Sequence, residues 1–308
     1  MQRYILERFF QAIISVLIVA TVVFVLVRLT GDPLDYLLTP NASEEQRQLV
    51  AEYWGLDKPM VVQYGRYLAA LTRGDFGKSL FSRRPALDMV VERLPATLQL
   101  GGAAMALALI IGLPVGVYAA VRRGGRFDAI GRGFAFIGTA TPTFWVGIMA
   151  IYFFSVRLGW LPVCGRGGLQ HIIMPASVLG WAIAAGILRL TRSSRLDVLA
   201  TDYVMLARAK GLSQRAVVWK HGFKNAALPI LTFSVLLLGL LVNGMVVTEA
   251  VFAWPGVGRL VLHAVVMRDF PIVQAVVILL SVVFITLNLI VDIMYAYLNP
   301  KIRQRMML

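Results

Sequence analysis

Six stretches of the chain run without a charged side chain for long enough to cross a bilayer: residues 9–27, 95–121, 133–156, 167–188, 225–248 and 270–291. A helix rises about 1.5 Å per residue, so about 20 mostly apolar residues span a hydrocarbon core of about 30 Å. A closed barrel would instead alternate apolar and polar positions, and runs such as 103–111 show no alternation. The pattern predicts six transmembrane helices. The first follows Arg3 and Arg8 as a signal peptide would, but its apolar run exceeds the usual 7–15 residues. Arg28-Leu29-Thr30-Gly31 also offers no small-x-small cleavage site, so this helix is expected to stay as an anchor.

Two connections are too large to be mere turns. Between the first two windows, Ser43-Glu44-Glu45-Gln46 reads as a capping box opening an amphipathic helix toward Trp54. A Gly-Leu-Asp-Lys-Pro break follows at 55–59, then a second helical stretch over 63–71. Between the fourth and fifth windows, residues 189–229 are helical in pattern and strongly basic. The predicted organisation is a tail and first helix over 1–29, an outer helical segment over 30–94, a core with the other five helices over 95–297, and a tail over 298–308.

Composition agrees: 58% of the 308 residues are hydrophobic and only 15% charged. Soluble domains run at about 25% charged, so a water-soluble enzyme is excluded, and so is a disordered chain. The net charge of +14 would suggest nucleic acid in a soluble protein. With the N-terminus inside, however, the cytoplasmic segments collect 17 Lys and Arg against four acids, while residues 28–93 carry nine of each. Topology therefore accounts for the basic charge, both termini are expected in the cytoplasm, and nucleic acid is unnecessary.

Candidate chemistry is sparse. Cys164 is the single cysteine, and His171, His221 and His263 are scattered, so no metal site is expected. Gly77-Lys78-Ser79 resembles the end of a phosphate loop, but Thr72 occupies the position of the required first glycine, and the segment faces outward. Arg189, Arg192 and Arg195 repeat like a voltage sensor, yet sit at the inner end of the fourth helix, where snorkelling explains them. Pro255-Gly256-Val257-Gly258 is a turn and no selectivity filter. Glu249, expected at the outer end of the fifth helix, is either a packing contact or part of an outer gate. Asp292 is expected in a structural ion pair near the inner end of the sixth. Pro114, Pro142 and Pro175 bend spanning helices, and Gly112 with Gly116 permits close helix approach.

One inner segment carries most of the functional information. It runs Asp202-Tyr203-Val204-Met205-Leu206-Ala207-Arg208-Ala209-Lys210-Gly211-Leu212-Ser213 and continues through Trp219-Lys220-His221 to Leu228-Pro229. A short helix with small residues and a glycine stop can enter a partner's groove, because its backbone approaches closely. This segment resembles the cytoplasmic coupling loop of ATP-binding-cassette importer permeases of the dipeptide, oligopeptide and nickel class. Met205 and Leu206 stand where the broader importer pattern has Glu and Ala, a departure that fits the Ala-Arg-Ala-Lys-Gly-Leu text of the peptide class. Gly31-Asp32-Pro33, 73–79, 92–97, Thr141-Pro142-Thr143-Phe144, 249–256 and Asn299-Pro300 resemble the same class, in order.

The resemblance implies an all-α integral membrane protein, a type I importer permease, in the bacterial inner membrane. It implies pairing with a second homologous permease, two cytosolic ATP-binding subunits and an extracytoplasmic solute-binding protein, with lipid around the bundle. Ala207, Arg208, Ala209, Lys210, Gly211 and Leu212 would dock on the ATPases, which would hold ATP and magnesium; this chain would hold no cofactor and do no covalent chemistry. Peptides or a similar small solute would be the cargo. An ion-coupled secondary transporter is the alternative, but intramembrane titratable groups and inverted repeats are not evident; a channel subunit comes third.

Overall fold

The computed structural model describes residues 2–29, 38, 42–54, 57–199, 237, 242 and 244–298. Its helices are α1 (Gln2–Leu29), α2 (Glu44–Trp54), α3 (Met60–Thr72), α4 (Ala86–Val121), α5 (Arg126–Ala140), α6 (Thr143–Ala150), α7 (Leu169–Leu199), α8 (Val257–Val266) and α9 (Phe270–Leu298). A π-helical stretch, Ile151–Arg157, continues α6, and residues 244–251 are helical. Among the described residues the only β pairing is an isolated bridge between Lys78 and Pro85.

Among the described residues, four helical stretches are long and apolar enough to cross a membrane: Leu6–Leu29, Ala86–Val121, Leu169–Leu196 and Phe270–Ile290. A fifth pass is formed if Arg126–Ala140 and Thr143–Arg157 count as one, and these are bent by 102°. The interruption expected at Pro142 within the 133–156 window is thus a bend of 102° between two helices. Proline disfavours helical backbone in the residue before it, and Thr141 is accordingly extended at φ −95° and ψ 129°. Pro95, Pro114 and Pro175 stay inside their helices, so α4 begins nine residues earlier than its apolar window. The 225–248 window lies mostly outside the described residues.

The chain divides into two compact units. The first comprises Met1–Leu94, Leu260–Ile290 and Arg305–Leu308. Here the capping box forms as read: the Ser43 amide donates to Gln46 Oε1 at 3.1 Å and the Gln46 amide to Ser43 Oγ at 3.3 Å. Helix α3 lies against α1 through Phe24, whose ring centroid is 5.3 Å from those of both Tyr64 and Tyr67, and through a 2.6 Å hydrogen bond between Thr21 and Tyr64.

The second unit comprises Pro95–Arg259 and Val291–Gln304. Its centre is α7, whose apolar window is 67% buried against 39% for that of α4. Leu100, Ala104 and Ala108 of α4 meet Leu179, Ile183, Ala184 and Ile187 of α7 in one core with Trp254. Lipid tails are as apolar as leucine, so such helices associate through close packing of small residues. Gly112 and Gly116 do this: a Cβ at Gly112 would lie 2.9 Å from the Ala184 carbonyl, and one at Gly116 2.7 Å from Thr191 Cβ.

Candidate functional site

The six coupling residues, Ala207, Arg208, Ala209, Lys210, Gly211 and Leu212, lie outside the described residues. The structure shows instead the frame that carries them. Helix α7 ends at Leu199, eight residues before Ala207 in the sequence, and its last turns hold the arginines of the three-residue repeat.

Those arginines do not share one environment. Arg189 is exposed, whereas Arg195 is 1% exposed. Arg192 forms a two-pronged ion pair with Asp128 in the first turn of α5: Nε donates to Oδ1 at 2.6 Å and Nη2 to Oδ2 at 2.9 Å. Such fork-to-fork pairs fix direction as well as distance. Asp128 is 1% exposed and also accepts from the Gly124 amide at 3.0 Å, with Arg132 Nε 3.8 Å away. A buried carboxylate requires this company, because alone it would cost several kcal/mol. The snorkelling expected for the arginine repeat is corrected for Arg192, which turns to a protein partner.

At the other named position, Glu249 is fully buried. Its carboxylate accepts the Thr97 hydroxyl at 2.7 Å, the Arg259 amide at 2.9 Å and the Gly258 amide. The last two belong to the first turn of α8, whose unpaired amides favour an anion. Thr97 in turn accepts the Val257 amide at 2.8 Å, and Trp254 donates its indole N–H to the Ala96 carbonyl at 2.9 Å. Two sequence segments, 92–97 and 249–256, therefore meet through hydrogen bonds. The glycines between are required by space: a Cβ at Gly256 would fall on the Glu249 carboxylate, and one at Gly258 would lie 2.7 Å from Val246 Cα.

The outer segment has its own tie. The Ser79 hydroxyl donates to Asp269 Oδ2 at 2.5 Å, and the Leu80 amide to Oδ1 at 3.1 Å. Asp269 immediately precedes α9, and both side chains are buried. Gly77, at φ +79°, lets the turn approach Pro271, 3.6 Å from the position its Cβ would take. The Gly-Lys-Ser stretch is thus a loop latched to a helix start, with its serine hydroxyl already committed. On α3, burial against Phe24 pushes Tyr67 up to about 12, and its hydroxyl has no hydrogen-bond partner among the described residues.

The sequence did not single out Asp128, Thr97 or Asp269. Each is identified by a partner between 64 and 190 positions away, which no local pattern reveals. Among the described residues, no cluster of histidine, cysteine and acid side chains could hold a metal ion.

Comparison with known proteins agrees over the whole length. Residues 112–304 match the family of binding-protein-dependent transport system inner membrane components, and residues 1–101 match the N-terminal domain described for the membrane components of such systems. The glutathione transport system permease protein GsiC of Salmonella paratyphi A is 44% identical over 306 residues, covering 99% of this chain and all of that protein. Its Escherichia coli K12 counterpart is 42% identical over the same extent. Among solved structures, two inward-facing forms of the MetNI methionine ABC transporter share the fold, with TM-scores of 0.57 and 0.56 at 20% and 21% identity. Each covers 68% of this chain and 96% of the other.

Proposed function

The chain belongs to the binding-protein-dependent transport system inner membrane components, as a permease subunit of an ATP-binding-cassette importer, and we propose that its cargo is glutathione or a short peptide of similar size. The observation that carries the cargo reading is 44% identity, over 99% of this chain, to a glutathione permease. Its role is transport and not catalysis. Together with a second, homologous permease it forms the translocation path, six helices from each, with both termini in the cytoplasm.

Two cytosolic ATPases hold ATP and magnesium and receive Ala207, Arg208, Ala209, Lys210, Gly211 and Leu212 in a groove. A solute-binding protein delivers cargo on the outer side, where Glu249 and its hydrogen-bonded neighbours shape the outer gate. ATP-driven closure of the ATPases moves the coupling segment, and hydrolysis resets it. Helix α7 packs Met174 and Val178 near its start against Phe252 of the outer connector and ends at Leu199, ahead of the coupling segment in sequence, which suits a lever working at one end and a gate at the other.

The test is reconstitution into liposomes of the complete complex and of complexes each lacking one component. Uptake of labelled glutathione is expected only with ATP, both permeases, the ATPases and the binding protein. Uptake by this chain alone, driven by an ion gradient, would overturn the reading.

A further inference from the structure

We propose that Asp128 is a positioning residue for coupling: by gripping Arg192 it fixes the end of α7 nearest the coupling segment to α5, so that α4, α5 and α7 move as one body. The proposal rests on the coupling reading above, and concerns a pair that no step of that reading requires.

Helix α7 has no slack along its length. A Cβ at Gly180 would lie 2.8 Å from the Ala104 carbonyl of α4, and further along, Gly112 and Gly116 of α4 sit equally tight against Ala184 and Thr191. On the other flank, a Cβ at Gly138 of α5 would meet Ala185 Cβ at 2.9 Å. Close-packed interiors transmit displacement and do not absorb it. Glycine contacts resist compression, however, and offer no resistance to separation or to a helix end peeling away. The glycine contacts of this seam end at Leu188 and Thr191, the pair from Arg192 to Asp128 comes next, and Arg195, three residues on, is buried as well.

The pair supplies what the seam lacks. Two parallel hydrogen bonds hold the guanidinium in plane with the carboxylate, resisting both separation and rotation. The third contact, from the Gly124 amide, ties the turn between α4 and α5 to the same carboxylate. Three chain segments therefore converge on Asp128. Arg192 stands seven residues before the end of α7 at Leu199, about 10 Å along the helix at 1.5 Å per residue. A pull or push arriving from beyond Leu199 travels along α7 past Arg195, itself buried, to this tie. Without it, the last turns of α7 would bend, and ATPase motion would be spent there.

The experiment uses the complete importer, purified with its partner subunits and reconstituted, and measures ATP hydrolysed per labelled glutathione imported. For Asp128→Asn, this ratio is expected to rise at least fivefold, with basal hydrolysis within twofold of wild type. Arg192→Lys keeps the charge but not the fork and should fall between. Asp128→Leu/Arg192→Met removes both charges, which folded proteins often tolerate, and should show the full rise. A wild-type ratio in any of the three that assembles would overturn the proposal. So would uptake and hydrolysis falling in proportion, the signature of a merely structural pair. A wild-type complex that imports nothing with ATP would bring down the importer reading itself, a separate outcome visible before any variant is made.

Discussion

Thr97 donates its hydroxyl hydrogen to Glu249 at 2.7 Å while accepting the Val257 amide at 2.8 Å, joining parts of the chain 152 and 160 positions apart. All three groups are buried, so the threonine cannot be exchanged for water. Thr97→Val keeps the shape and strands a carboxylate oxygen and an amide. Leaving buried groups unsatisfied costs about 1–3 kcal/mol. The purified chain is expected to melt at a lower temperature, and Thr97→Ser should recover most of the loss. Equal melting of the valine and wild-type proteins would show that the network does not hold the outer connector.

Two glycines of one helix predict opposite outcomes. A Cβ at Gly102 meets nothing within 4 Å, whereas one at Gly116 would fall 2.7 Å from Thr191 Cβ and 2.8 Å from the Leu188 carbonyl. Gly102→Ala should be neutral or slightly stabilising, in keeping with alanine's better helix propensity. Gly116→Val should destabilise by about 1–3 kcal/mol through overpacking. Thermal melts of the two variants in the same detergent make the comparison, and a tolerated valine at 116 would mean that α4 and α7 are not in close contact.

The Gly-Lys-Ser stretch separates two roles by two substitutions. Lys78 is exposed, while Ser79 is buried on Asp269. Lys78→Ala is therefore expected to leave uptake and stability unchanged. Ser79→Ala removes a donor to a buried carboxylate and the acceptor of the Ser82 amide, and should lower the melting temperature of the chain. A phosphate-binding loop would give the reverse order, with ATP binding lost in the lysine variant.

Tyr67 predicts a pH effect with a definite sign. Burial raises its pKa from the ordinary 10.0 to about 12, so the fold favours the neutral phenol. Its contribution to stability is complete below pH 10 and is lost as pH rises through 12. Tyr67→Phe deletes a hydroxyl with no hydrogen-bond partner among the described residues, and should match or exceed wild type at neutral pH. Melting temperatures measured between pH 9 and 11.5 should fall less in the variant. Parallel curves would place the Tyr67 hydroxyl in water.

What the sequence made legible was local or periodic. The capping box at Ser43 and Gln46 needs only four adjacent residues, and it forms as read. The apolar windows report length and polarity, so the helices around 9–27, 95–121, 167–188 and 270–291 were all readable. Pro142 was read as a bend, but its size was not readable, because a proline inside a long apolar run is compatible with a straight, bent or broken helix. Pro114 and Pro175 remain in helices while Pro142 ends one, and neighbouring packing decides which. Arg192 was misjudged for a related reason. An arginine near a helix end has an adequate partner in water or headgroups, and only the fold brings Asp128 within 2.6 Å. Segments 92–97 and 249–256 were recognised separately, but their meeting through Thr97, Ala96, Glu249 and Trp254 is a tertiary fact.

The most direct measurement of the central claim concerns Gly211. If the segment from Ala207 to Gly211 docks in an ATPase groove, a β-branched side chain at 211 should obstruct it without affecting insertion of the apolar helices. In reconstituted complexes carrying Gly211→Val, assembly and membrane insertion are expected to match wild type, while substrate-stimulated ATP hydrolysis and glutathione uptake fall at least tenfold. Arg208→Glu should do less, since a contact at the groove rim is partly screened by water. Wild-type stimulation and uptake in a correctly inserted Gly211→Val complex would contradict the account, because the ATPases would then be coupled to this chain somewhere else.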